Sequence, residues 1–133
     1  MDDKKIILSI DDNKMDLMVL SNFLSPTYDV RVSKSATEAL TFLKTTTVDL
    51  ILLDIMMPHM SGFEFLHEIR KDPRHMQIPV IVVSSYDTPE SIEHAKKHGA
   101  NDCISKPVNA EVLHQKIEMA LKAPKRVGIL ANL

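Results

Sequence analysis

The sequence is poor in the residue types on which several common kinds of site depend. A single cysteine, Cys103, excludes an intramolecular disulfide, and no cluster of cysteine and histidine has the spacing of a zinc site. A reducing, cytoplasmic compartment is the corresponding prediction. The chain has no tryptophan and only two tyrosines, which leaves few aromatic rings to sandwich a flavin.

Charge and hydropathy give no support for two further kinds of partner. The chain has 16 Lys and Arg against 18 Asp and Glu, so no global attraction to nucleic acid or an anionic membrane is predicted. The opening MDDKK leads into a short apolar run, which predicts neither a signal peptide nor a membrane span. A length of 133 residues fits one domain, expected over 1–122, with 123–133 as a tail or the start of a linker.

Five short apolar segments alternate with amphipathic ones along the chain. The third and fourth, residues 49–54 and 79–85, are nearly continuous, which is typical of central parallel strands covered on both faces. The second, residues 28–33, alternates more and is typical of an edge strand. The predicted strands are residues 5–10, 28–33, 49–54, 79–85 and 102–105.

Helical spacing of apolar residues predicts a helix after each strand. Asp12 or Asn13 is the predicted cap of the first helix, and Ser35 and Asn109 cap the second and the last. The fourth helix should end at Gly99, and it has the fewest apolar anchors, so it should pack most loosely. The predicted core-facing residues are Leu17, Leu20, Phe23 and Leu24; Ala36, Ala39, Leu40 and Leu43; Phe63, Phe65, Leu66 and Ile69; Ile92 and Ala95; and Val112, Leu113, Ile117, Ala120 and Leu121.

This alternation predicts an α/β fold with an open parallel sheet and helices on both faces. In such sheets ligands bind beyond the carboxyl ends of the strands. Each polar residue found there has an ordinary structural explanation when taken alone, such as capping a helix or lying in a solvated loop. Together they predict a site at one edge of the sheet. These residues are Asp11, Asp12, Asp54, Ser84, Ser85 and Lys106.

The residue types at this edge suit metal-assisted phosphoryl transfer. Three carboxylates close together raise one another's pKa unless a cation neutralises them, and hard oxygen ligands favour Mg²⁺. With the metal present, Asp54 stays ionised and is a candidate nucleophile. Lys106 supplies positive charge and Ser84 a hydroxyl donor, which matches the demand of phosphoryl transfer for positioning and charge stabilisation.

Four motifs occur in an order and spacing that are together highly specific. They are IDDN at 10–13, LLDIMMPHMSGFE at 52–64, VVSS at 82–85 and SKP at 105–107. With them the chain, from Lys5 to about Lys122, resembles a receiver domain of the two-component response regulators. The resemblance implies a flavodoxin-like, doubly wound (βα)5 fold whose five parallel strands have the order 2-1-3-4-5.

The resemblance also implies a role for each matching position. Asp54 would be the phosphorylation site, and Asp11 and Asp12 would hold Mg²⁺ together with Asp54 and the backbone carbonyl of Met56. Lys106 would pair with the phosphoryl group.

Two further positions follow from the same resemblance. Ser84 would move to hydrogen-bond the phosphoryl group. Pro107 would follow a cis peptide bond that aims Lys106 into the site.

Partners follow from the resemblance in the same way. A histidine kinase or phosphotransfer protein would supply the phosphoryl group, and the domain would assist only its own phosphorylation and dephosphorylation. A surface from the fourth to the fifth helix would contact an output domain, a partner protein or a second copy of the chain. Direct binding to nucleic acid or to a membrane is not expected.

One position departs from the family pattern. The family usually has Tyr or Phe three residues before the lysine, and this chain has Cys103 there. A thiol cannot supply the bulk or edge-on packing of a ring. Signalling is therefore expected to rely on Ser84 and the loop after it, where Tyr86 is a candidate to flank the site.

Three alternatives remain open at this point. A hydrolase with an aspartyl nucleophile would have a second acid two residues later, where this chain has Met56. A flavin carrier would meet acidic residues in the loop at 11–16, which would repel the cofactor phosphate. A scaffold that is never phosphorylated would not need the full set of five expected site residues, which this chain has: Asp11, Asp12, Asp54, Ser84 and Lys106.

Overall fold

The described part of the chain alternates five strands with five helices, as the sequence predicts. The structure is a computed structural model, and it describes residues 3–85 and 88–123. The strands are β1 (Ile6–Ile10), β2 (Asp29–Ser33), β3 (Leu50–Leu53), β4 (Val80–Ser84) and β5 (Asp102–Ser105). The helices are α1 (Lys14–Leu24), α2 (Ala36–Leu43), α3 (Gly62–Lys71), α4 (Pro89–Lys97) and α5 (Ala110–Lys122).

The strands form one parallel sheet in the order β2-β1-β3-β4-β5. This confirms the predicted fold class and strand order. Every residue of β3 and β4 is buried, whereas Arg31 and Val32 of β2 are exposed at the edge. Continuous apolar runs thus mark the strands that helices cover on both faces.

Two apolar clusters cover the two faces of the sheet because alternate strand residues point to opposite sides. Leu8 and Ile51 lie in the cluster that includes residues of α2, α3 and α4. Their neighbours Ile7 and Leu50 lie in the cluster that includes residues of α1 and α5. The sheet is therefore covered on both faces, and the predicted site residues lie at its carboxyl edge.

Polar caps fix where the helices begin. Asn13, not Asp12, caps α1, and its side chain accepts a hydrogen bond from the backbone N–H of Asp16. Ser35 and Asn109 cap α2 and α5 as predicted. These caps satisfy backbone donors that would otherwise face the sheet edge unpaired.

The fourth helix has the sparse packing expected of it. Ala95 is its one buried residue within the described part of the chain, and Ile92 is half-buried. Gly99 follows the C-cap with φ +109, a backbone conformation that side-chain-bearing residues rarely adopt.

One predicted core residue is wrong. Val112 is 39% exposed, while Leu113 and Ile117 of the same helix are fully buried. At 100° per residue, Val112 lies about 140° around the helix from Ile117, which takes it off the buried face. The apolar character of valine was misleading there because it stands beside the stripe without belonging to it.

Some predictions fall outside the described residues, namely those on Tyr86 and on the tail from 124 to 133. The domain boundary at residue 122 coincides with the last residue of α5 and stays a prediction. Within 3–85 and 88–123, no helix is long and apolar enough to cross a membrane.

Candidate functional site

Two neighbouring strands bring the predicted acids together. Asp11 follows β1 and Asp54 follows β3, and these strands pair so that Ile10 lies opposite Leu53. The backbone N–H of Asp54 donates to the carbonyl of Ile10 at 2.9 Å, extending the ladder by one residue. Sheet pairing alone therefore fixes the Asp54 backbone beside that of Asp11.

Asp11, Asp12 and Asp54 form one carboxylate cluster. Each offers an oxygen atom, and these atoms all lie within 4.8 Å of one another. Asp11 and Asp54 are 3% and 7% exposed, whereas Asp12 is open to solvent. Three hard oxygen ligands with one solvent-facing side are a donor set that Mg²⁺ accepts, because it keeps several waters.

The electrostatics of the cluster also favour a bound cation. Burial and the neighbouring Asp11 charge raise the pKa of Asp54 from 3.8 to about 7. Lys106 and a 3.4 Å hydrogen bond from the Met56 N–H act in the opposite direction without overcoming them. Two buried carboxylates this close are thus costly to ionise together, and a bound cation would remove the cost.

Lys106 reaches this cluster from the end of β5. Its backbone N–H donates to the carbonyl of Ser84 at 3.0 Å, and the bond to Pro107 is cis as predicted. Its Nζ donates to Asp11 Oδ2 at 2.8 Å and lies 3.8 Å from Asp54 Oδ2.

Asp16 is the site residue that sequence reasoning missed. It is half-buried in the first turn of α1, and its Oδ2 accepts from Lys106 Nζ at 2.8 Å. Burial alone would lower the pKa of Lys106, but the bonds to Asp11 and Asp16 outweigh burial and raise it. The signal in the sequence was an acid three residues after the cap candidate Asn13, which places it in the first turn of the helix that begins at the sheet edge.

The remaining predicted positions lie at the same edge. Ser84 is the last residue of β4 and is buried, 2% exposed. Met56 is exposed in the loop that follows Asp54. The predicted movement of Ser84 and the predicted ligand role of the Met56 carbonyl stay predictions.

Gly62 allows the chain to return close to the site. A Cβ built there would lie 2.6 Å from the Asp54 carbonyl oxygen and 2.7 Å from Ile55 Cα. Both contacts are to backbone, which cannot give way as a flexible side chain would. The first residue of α3 therefore sits directly against the segment that carries Asp54.

Cys103 lies beside an open cleft. The residue is half-buried, pairs in register with Val82, and lines a mainly apolar cavity of about 470 Å³ between α4 and the sheet. Ser84 and Met56 line the same cavity, so it adjoins the site. Burial and the Asp102 charge raise the pKa of the thiol, so this cysteine is not activated as a nucleophile.

Comparison with known proteins agrees with the geometry. The family described as response regulator receiver domain matches residues 7–118. A relative in Oryza sativa subsp. japonica, the two-component response regulator ORR13, is 40% identical over 105 residues, covering 77% of this chain and 86% of that protein. The solved structure of the chemotaxis protein CheY4 of Vibrio cholerae has a TM-score of 0.83 and 27% identity, covering 88% of this chain and 98% of that chain.

A longer relative shares only part of its length with this chain. A probable cyclic di-GMP phosphodiesterase of Vibrio cholerae is 33% identical over 126 residues, which are 95% of this chain and 29% of that protein. The activity in its name is a property of that whole protein. The similarity to that protein covers only the matching segment. This protein belongs to the receiver domain family of two-component response regulators, whose members are phosphoacceptors in signalling.

Proposed function

We propose that Asp54 accepts a phosphoryl group from the histidine of a partner kinase or phosphotransfer protein. The observation that carries this assignment is the carboxylate cluster, whose oxygens lie within 4.8 Å, with the Lys106 ammonium 3.8 Å from Asp54. Asp54 follows β3, the middle strand of the sheet, and is buried, as Asp11 is. An acceptor needs that combination of a nucleophile and positive charge close by.

Mg²⁺ is the cofactor that this donor set fits. Asp11, Asp12 and Asp54 would hold it, with the carbonyl of Met56 as a further ligand. Bound there, the ion would neutralise the carboxylates and the negative charge that develops on the phosphoryl oxygens. The raised pKa of Asp54 supports this fit, because burial and the neighbouring Asp11 charge oppose its ionisation and a cation would favour it.

The chain's own residues account for the rest of the reaction. An Asp54 carboxylate oxygen attacks phosphorus, the bond from phosphorus to the donor imidazole nitrogen breaks, and the imidazole leaves with the electron pair. Lys106 would pair with the transferred group. Ser84, buried at the end of β4, would supply a hydroxyl donor after a local shift of the strand end.

The output belongs to the same proposal. Within the described residues α4 buries only Ala95, so the surface from α4 to α5 is the part of the domain that a change at Ser84 would move most easily. An output domain, a partner protein or a second copy would bind there, and no external substrate would be turned over. We assign residues 1–122 to the receiver domain and 123–133 to a tail or linker, and keep the cytoplasm as the predicted location.

Intact-protein mass spectrometry tests the acceptor. The protein is incubated with Mg²⁺ and acetyl phosphate beside Asp54→Ala and beside Asp29→Ala, which removes a carboxylate at the opposite edge of the sheet. The parent and Asp29→Ala should each gain one phosphoryl group. Asp54→Ala, and the parent with a chelator, should gain none. If Asp54→Ala still gains a phosphoryl group, another residue is the acceptor.

A further inference from the structure

The Lys106 ammonium is held by two carboxylates, neither of which is the acceptor. Its Nζ lies 2.8 Å from Asp11 Oδ2 and 2.8 Å from Asp16 Oδ2, against 3.8 Å from Asp54 Oδ2. We propose that Asp16 competes with the phosphoryl group on Asp54 for Lys106 and so restrains phosphorylation. This inference rests on the proposed function, since it assigns a regulatory partner to the same site.

The competition arises from the position in which the Lys106 ammonium is held. An ammonium has three N–H donors and no acceptor, and two of them are already taken at full hydrogen-bond distance by Asp11 and Asp16. Asp54 stands beyond hydrogen-bond reach at 3.8 Å. One N–H donor remains, but the ammonium is held away from Asp54, so Lys106 must shift toward the phosphoryl oxygens and lengthen one of its two present bonds.

Burial decides which bond is given up. The Asp11 side chain is 5% exposed and the Asp16 side chain is 37% exposed. A carboxylate that leaves an ion pair is costly when it is buried and is readily rehydrated when it is exposed. The bond to Asp16 is therefore the one that breaks at low cost when Lys106 moves.

Charge adds to the effect of the bond. Asp16 brings a fourth carboxylate to an edge that already carries Asp11, Asp12 and Asp54. Phosphoryl donors such as acetyl phosphate are anions, and like charge in a half-buried site raises the free energy of their approach. Loss of the Asp16 charge should thus help the donor to bind and leave Lys106 free to meet it.

The backbone at Asp16 is fixed independently of its side chain. Its N–H donates to the Asn13 side chain at 3.0 Å, so the α1 cap survives a substitution of the Asp16 carboxylate. Asp16→Asn keeps the shape and removes the charge, and Asp16→Glu restores the charge. Glu111→Gln is the matched control, because Glu111 is an exposed acid in the first turn of α5, after the strand that leads to Lys106.

The test is the bimolecular rate constant for phosphorylation by acetyl phosphate at saturating Mg²⁺, followed by intact mass. Asp16→Asn should raise it about two- to fivefold, the range expected for losing a half-exposed ion pair. Asp16→Glu should return it toward the parent value, and Glu111→Gln should leave it unchanged. Urea unfolding should show Asp16→Asn slightly less stable than the parent, so rate and stability change in opposite directions.

Each other outcome overturns a specific statement. A parent that is phosphorylated on Asp54, with an Asp16→Asn rate that is unchanged or lower, contradicts the competition and leaves the proposed function intact. An equal rise in Glu111→Gln means that general charge, and not the bond to Lys106, sets the rate. A parent that is not phosphorylated contradicts both the proposed function and the competition.

Discussion

Replacing Asp54 with asparagine should stabilise the metal-free protein at pH 8. The reason is the cost of ionising a buried carboxylate beside Asp11, which raises the pKa of Asp54 from 3.8 to about 7. Asparagine has nearly the same shape and cannot ionise. The substitution therefore removes the cost while it keeps the packing at the end of β3.

The sign follows from proton linkage. A carboxyl whose pKa is higher in the folded than in the unfolded state lowers stability once it ionises. For Asp54 the penalty is absent below pH 3.8, grows as the pH rises to about 7, and is complete above that pH. The stabilisation by Asp54→Asn should grow over the same interval.

The size follows from the same two pKa values. A change from 3.8 to about 7 corresponds to at most about 4 kcal/mol. The pKa of about 7 already includes the attraction of the Asp54 carboxylate to Lys106, so a gain of about 2 to 4 kcal/mol at pH 8 is expected. In a domain of this length that is a rise of roughly 10 °C in Tm, shrinking to about 2 °C at pH 4.

Thermal unfolding followed by circular dichroism in a chelator measures the gain. Asp29→Asn is the control, because a hydrogen bond from Arg31 lowers the pKa of exposed Asp29 and gives its removal the opposite sign. Saturating Mg²⁺ should raise the Tm of the parent more than that of Asp54→Asn, so the difference in Tm between the two should disappear. A difference between parent and Asp54→Asn that does not depend on pH between 4 and 8 would refute the reasoning.

Three further substitutions test other contacts. Arg70→Lys should lower the free energy of unfolding by about 2 kcal/mol, because the guanidinium donates to the carbonyls of both Gly99 and Ile78 and an ammonium cannot span both. An unchanged midpoint of unfolding in urea would contradict this. Gly62→Ala should lower the free energy of unfolding by at least about 2 kcal/mol and weaken Mg²⁺ binding, because its Cβ would displace the backbone of Asp54. Unchanged Mg²⁺ binding in calorimetry would contradict this. Cys103→Phe should raise stability by about 1 kcal/mol as its ring enters the cavity of about 470 Å³, whereas a loss of stability would mean that the cleft cannot accept a ring.

The fold was predictable because hydrophobic patterning acts over short stretches. The runs at Leu50–Leu53 and Val80–Ser84 are continuous in the sequence, and both are buried along their whole length in the structure. The meeting of Asp11 and Asp54 at one edge was predictable for a related reason, since parallel strands end at one edge and these residues follow adjacent strands.

The misses share a different cause. The role of Asp16 depends on the rotation of α1 and on the reach of Lys106, which are set by contacts between residues 90 positions apart. Val112 was misplaced because one valine beside a stripe cannot be told from one within it. The cavity at Cys103 depends on how far α4 stands from the sheet, a distance that no local pattern encodes.

The close approach of Gly62 to the backbone of Asp54 makes one part of the domain stiffer than another. The Asp54 segment is held between the hydrogen bond to Ile10 and the start of α3, while among the described residues of α4 only Ala95 is buried. A stiff region cannot absorb a new charge by deforming, so the deformation must appear where the restoring force is weakest. On the proposed function, recognition of the phosphorylated state would then occur at α4, without any partner touching Asp54.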